Sequence, residues 1–162
     1  MGIGPYSGDT MNPHFLRNDL AHRLGYAGLI PFVLLTLGAW LVDPFWLDVF
    51  IKAQLAYAVL IFAFLGGVHW GMAVCSTRLN AQQTRRAMLW SVTPTLAGWL
   101  ATMIGGYGFA LLMLGFGVAY QVDKRLFQWV EAPSWLIGLR FKLTCVVIAA
   151  LALTVIAANV RG

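Results

Sequence analysis

The sequence predicts an all-α polytopic membrane bundle of five transmembrane helices plus one interfacial segment. Three observations predict it. First, 60% of the 162 residues are hydrophobic and only 10% are charged, whereas a soluble domain is about 45–50% apolar and about 25% charged. Second, five apolar runs are comparable in length to the roughly 20 residues needed to cross a hydrocarbon core about 30 Å thick. Third, the basic residues fall in the short polar stretches between those runs, and they fall unevenly.

Residues 1–23 form a polar N-terminal arm with Pro5, Asp9, Pro13, Arg17, Asp19 and Arg23. It has no apolar core, so it does not read as a secretory signal peptide. Its two aspartates make it a poor transit peptide. The first span is then expected to serve as its own insertion signal. That span covers 24–42 and contains Pro31, which should kink it or shift its first turns. Asp43-Pro44 is read as its end. Phe45 to Phe50 reads as an aromatic connector at head-group level.

The second span is 52–75, followed by a basic loop holding Arg78, Arg85 and Arg86. The third is 87–104, with Pro94 inside it. Gly105-Gly106-Tyr107-Gly108 is a tight turn. The fourth span is 107–122 and Asp123-Lys124-Arg125 closes it. Residues 126–139 mix Phe127, Trp129 and Trp135 with Gln128, Glu131 and Pro133, the pattern of a surface-lying segment. The fifth span is 141–160. Residues 24–160 thus form one membrane domain.

Five crossings put the two ends of the chain on opposite sides. Arg17, Arg23, Arg78, Arg85, Arg86, Lys124, Arg125, Arg140 and Lys142 lie on the N-terminal side; Lys52 and Arg161 lie on the other. Positive residues in short loops stay cytoplasmic. The expected location is a bacterial inner membrane with the N-terminus cytoplasmic and the C-terminus outside, or alternatively a mitochondrial inner membrane. The net charge of +5 then points to anionic lipids at the cytoplasmic face rather than to nucleic acid. A further membrane protein is the other expected partner.

The stretch Leu65-Gly66-Gly67-Val68-His69-Trp70-Gly71 concentrates three glycines and a histidine inside the second span. Glycine costs about 1 kcal/mol relative to alanine within a helix, a cost accepted where another backbone comes close. Ala63, Gly66, Gly67 and Gly71 are the candidate helix-packing residues. An ionisable group inside a membrane segment is a functional-site hypothesis. His69, Ser91, Thr93, Tyr120 and Asp123 all fall in the N-terminal-side leaflet and form the candidate polar site. His69 is either a neutral imidazole bonded to a neighbouring span, or a proton-relay or ligand-binding group. Asp123 is either an ordinary helix-end charge or an orienting partner for His69. The opposite leaflet offers Thr36, Gln54, Tyr57, Thr102 and Thr154. Trp40, Trp46, Trp90, Trp129 and Trp135 suit an interfacial belt, while Trp70 and Trp99 lie deeper and could line a cavity. Cys75 and Cys145 read as small apolar fillers.

No catalytic set is visible. No span carries paired carboxylates, no Ser-His-Asp or Cys-His spacing occurs, and the cysteines show no metal spacing. A second inward histidine for haem is missing, since His14 and His22 lie in the arm. No cofactor is expected. The leading reading is a non-enzymatic structural, assembly or partner-binding subunit. The alternative is a small transporter or proton-relay protein using His69.

Several blocks together resemble one known family. They are Leu24-Gly25-Tyr26-Ala27-Gly28-Leu29-Ile30-Pro31-Phe32, Phe64 through Gly71, Ser91-Val92-Thr93-Pro94 with Trp99, Tyr120 with Asp123, and Pro133-Ser134-Trp135 with Leu139-Arg140. They resemble the domain of unknown function 3429 family of transmembrane protein 69-like multi-span membrane proteins, over roughly residues 20–155. The resemblance implies a small multi-span protein of a bacterial inner or mitochondrial membrane. It implies no activity and transfers no functional residue.

Overall fold

The computed structural model describes residues 13–131 and 133–162 of the chain, with side chains from residue 19 onward. The helices are α1 Pro13–Ala27, α2 Ile30–Leu41, α3 Pro44–Cys75, α4 Ala81–Met103, α5 Tyr107–Trp129 and α6 Ser134–Arg161. No strand occurs among the described residues. The fold is an all-α polytopic membrane bundle. Asp19–Leu41, Pro44–Cys75 and Ser134–Arg161 are long and apolar enough to cross a membrane by length and composition. Helices α4 and α5 have 23 residues each, about 34 Å at 1.5 Å per residue. They are less apolar because one end of each carries charge: Arg85 and Arg86 in α4, and Asp123, Lys124 and Arg125 in α5.

The first rod is broken where the sequence places Gly28 and Pro31. Helix α2 begins with Pro31 in its first turn, because proline has no N–H to bond back to Ala27. The carbonyl of Gly28, freed at the break, accepts a hydrogen bond from the Tyr57 hydroxyl at 2.9 Å. A membrane tolerates broken helices only where neighbours satisfy the freed groups in this way.

Asp43-Pro44 starts α3 rather than merely closing the first span. The Asp43 carboxylate accepts from the Phe45 N–H at 2.9 Å, and Pro44 occupies the first helical turn. The expected connector 45–50 is therefore the first two turns of α3. Its 32 residues make α3 about 48 Å long, longer than the hydrocarbon core, which places Phe45 and Trp46 at one of its ends. Residues 126–139 likewise form no separate surface-lying segment. Leu126 and Phe127 are buried in α5, the chain turns at Val130-Glu131, and α6 begins at Ser134. Of the expected arm, residues 1–12 lie outside the described residues, and Pro13 onward is helix.

Helix α4 opens with a reciprocal capping box. Gln83 N–H donates to the Asn80 side chain at 2.8 Å, and Asn80 N–H donates to that of Gln83 at 3.0 Å. The turn into α5 needs Gly105, whose φ is +59°. At the opposite end of the chain, Arg161 donates to the Ala39 and Val42 carbonyls, each at 2.6 Å. These are orphan acceptors at the end of α2, and a cation suits the negative end of a helix dipole.

The main core is aromatic and aliphatic. Phe32, Phe62, Leu65, Phe109, Leu112, Phe116, Val147 and Leu151 pack together at mid-bundle, with the Phe62 and Phe116 ring centroids 5.1 Å apart. On one side of this layer, the Gln54 amide donates to Thr36 at 3.2 Å, and the Thr36 and Thr154 hydroxyls both reach the Ala150 carbonyl. On the other side lies the polar group containing His69. His69 and Gln54 are 15 residues apart on α3, about 22 Å along its axis.

Candidate functional site

The inward face of α3 reads Ala58, Phe62, Leu65, Gly66, His69, Ala73, a helical stripe one or two residues wide at each turn. Gly66 lets α4 approach, since a Cβ there would collide with the Ser91 carbonyl oxygen. Gly67 and Gly71 have open space where a Cβ would stand and are exposed. Within the chain, the expected packing role of these glycines thus falls to Gly66. Ala63 is half-buried.

That stripe delivers His69 to α5 and α6. His69 is 1% exposed and Asp123 is 3% exposed. His69 Nε2 lies 3.1 Å from Asp123 Oδ1. The other carboxylate oxygen, Oδ2, accepts from Arg140 Nε at 2.6 Å and also meets Arg140 Nη2. The Arg140 side chain is only 15% exposed. His69 Nδ1 stands 2.9 Å from the Leu65 carbonyl oxygen, one turn back on its own helix. Nε2 makes no aligned hydrogen bond to Oδ1, so the contact is a close polar approach. Both ring nitrogens therefore lie close to oxygen atoms, and a neutral ring can donate to one of them, an imidazolium to both. With the second ring proton, the three side chains hold one net positive charge; without it they are neutral overall.

The other expected members do not reach His69. The Ser91 hydroxyl donates to the Met88 carbonyl at 2.6 Å, and Thr93, which is exposed, donates to that of Leu89 at 3.3 Å. Both bonds are spent within α4. The Tyr120 ring packs on Phe141, with centroids 5.6 Å apart. Arg140, absent from the expected set, is the third member. Its signal was helical phase: Arg140, Thr144, Val147 and Leu151 recur every three to four residues, and the last three are buried. Asp123 has the same signal, standing in phase with buried Ala119, Leu126 and Phe127, which separates it from exposed Lys124 and Arg125.

Trp70 and Trp99 are exposed on the outer surface instead of lining a cavity. Trp90 and Trp129, expected in the belt, border a cavity beside His69. Cys75 and Cys145 are exposed and fill no core space. No cluster of three or more metal-ligating side chains occurs among the described residues.

The family model described as "Protein of unknown function (DUF3429)" matches residues 18–156. The chain belongs to this family. It is 35% identical over 131 residues to Transmembrane protein 69 of Xenopus tropicalis, covering 79% of this chain and 50% of that protein. It is 28% identical over 137 residues to Transmembrane protein 69 of Mus musculus, covering 83% of this chain and 54% of that protein. The chain thus spans about half the length of the curated relatives it matches. No solved structure matches it. The family match spans the α3 stripe, Asp123 and Arg140 alike, so the whole three-residue lock lies inside the shared region.

Proposed function

We propose that this DUF3429 protein is a non-enzymatic membrane subunit that docks a transmembrane helix of another protein. The observation that carries this is the outward stripe of α3. Leu60, Phe64, Gly67, Gly71 and Val74 are all exposed and recur at spacings of four, three, four and three. That is the heptad rhythm of helices packed at a shallow left-handed angle. Two glycines in the middle of the stripe, with open space over both, let a second backbone come close, the main source of attraction between helices in lipid. The charged lock faces the other way and is occupied by α5 and α6.

The orientation belongs to the same proposal. Nine basic residues against two support a cytoplasmic N-terminal side in a bacterial inner membrane, or the equivalent face of a mitochondrial inner membrane. A proton-relay role for His69 has less support. The phenylalanine-rich layer separates His69 from the Gln54 group, so among the described residues no chain of polar side chains continues across the bundle.

The test is a Gly67→Leu, Gly71→Leu double variant in native membranes, read by in-membrane cross-linking and native electrophoresis. The isolated chain should keep its melting temperature or gain, since leucine is the better helix former by up to about 1 kcal/mol per site. The wild type should run as part of a larger assembly, and the variant as the free chain. A wild type that cross-links to nothing, or a variant that keeps its assembly, overturns the proposal. Mixing two differently tagged copies distinguishes a heterologous partner from self-association, and co-capture of the two tags would also overturn it.

A further inference from the structure

The structure assigns a phosphate-binding site for an anionic phospholipid to the cavity between α4 and α5 beside His69. The cavity measures about 210 Å³ and is bordered by His69, Arg86, Trp90, Arg125 and Trp129. That is the liquid volume of about seven waters, room for a phosphate group and the first atoms of a glycerol backbone. Arg86 lies in the second turn of α4, and Arg125 lies near the end of α5. The two helices are antiparallel neighbours joined by the Gly105 turn, so these positions stand side by side at one end of the bundle.

Neither arginine has an ion-pair partner among the described residues. Among the described residues the ion pairs are Asp48 with Lys52, Asp123 with His69 and Arg140, and Glu131 with Arg78. Asp123, the nearest acid in sequence to Arg125, has one oxygen on His69 and the other on Arg140. Two arginines without an ion-pair partner among the described residues, together with His69, therefore line one small cavity. Trp90 also borders the cavity, and its buried Nε1 has no hydrogen-bond partner among the described residues. Arginine forks match phosphate oxygens, and basic pockets between membrane helices bind anionic head groups. The chemistry wanted is a dense anion with several acceptor oxygens, attached to a tail that stays in lipid.

The site lies on a different face from the proposed docking stripe and draws its arginines from α4 and α5, so the two stand or fall separately. The test uses the full chain purified in neutral detergent and measures retention of phosphatidylglycerol and phosphatidylcholine by native mass spectrometry. Phosphatidylglycerol should be retained in preference to phosphatidylcholine. Arg86→Gln and Arg125→Gln should each weaken retention about fivefold, and together about thirtyfold. Arg85→Gln, one position away and outside the cavity, should change it little. Both cavity arginines are exposed, so the variants should melt at the wild-type temperature in the absence of lipid. Equal retention of the two lipids, or undiminished retention by the double variant, overturns the assignment. Displacement of the lipid by millimolar inorganic phosphate would assign the cavity to a soluble anion and overturn it as well.

Discussion

Removing the carboxylate of Asp123 should be among the most damaging single changes in the chain. Asp123→Ala leaves Arg140 and His69 facing one another across a site that is almost closed to water. At the 2.6 Å separation of Arg140 Nε and Asp123 Oδ2, opposite unit charges attract by about 6 kcal/mol at an effective dielectric of about 20. Much of that attraction offsets the desolvation of both groups. The measurable loss when one partner goes is about 3–5 kcal/mol, because the remaining charge stays buried and unpaired. Removing all charge is different. A His69→Phe, Asp123→Leu, Arg140→Met variant should return to within about 1 kcal/mol of wild type, since a packed apolar replacement needs no desolvation. Both can be read by reversible unfolding in mixed micelles, with the exposed Arg78–Glu131 pair as control. Arg78→Ala should cost at most about 1 kcal/mol. An Asp123→Ala loss no larger than that of Arg78→Ala would refute the lock. So would a triple variant as unstable as the single one.

Tyr57→Phe should cost about 1 kcal/mol and speed amide exchange at Gly28 and Leu29 selectively, because only the hydroxyl bond to the helix break is lost. Gly66→Ala should lower the melting temperature through its collision with the Ser91 carbonyl, at a cost of about 1–3 kcal/mol. Gly71→Ala, in open space on the same helix, should raise it, and the reverse order would contradict the assignment of faces.

The helices were legible because apolar run length is a strong signal in lipid, and the break near Pro31 was marked by glycine and proline together. Boundaries were less legible where one residue serves two elements. Asp43-Pro44 was read as a stop, yet Asp at the cap and Pro in the first turn are start signals, and they add two turns to α3. Likewise, the aromatic residues of 126–139 looked interfacial as a set, although Leu126 and Phe127 share the buried phase of Ala119. The candidate site was half legible. His69 and Asp123 stood out as ionisable groups near apolar runs, but depth alone grouped them with Ser91 and Thr93. Small hydroxyls in a membrane helix can satisfy themselves on their own backbone, so depth did not decide which side chains meet. Helical phase did, and it also pointed to Arg140. Glycine spacing could not say which face of α3 was inner, because Gly66 and Gly67 differ by one residue and about 100°.

The phenylalanine layer has an electrical consequence. A transmembrane voltage falls mainly across the dry part of a protein, and moving one elementary charge through the full drop is worth about 2.3 kcal/mol per 100 mV. Phe32, Phe62, Phe116, Leu112 and Leu151 make that dry part. His69, Asp123 and Arg140 all lie to one side of it, with His69 about 22 Å along α3 from the uncharged Gln54 group. The lock therefore lies outside the phenylalanine layer, between it and the smaller Ala73, Ala87 and Leu126 cluster. The share of a membrane voltage that falls across that layer therefore falls between the lock and the Gln54 group and does not act within the lock itself.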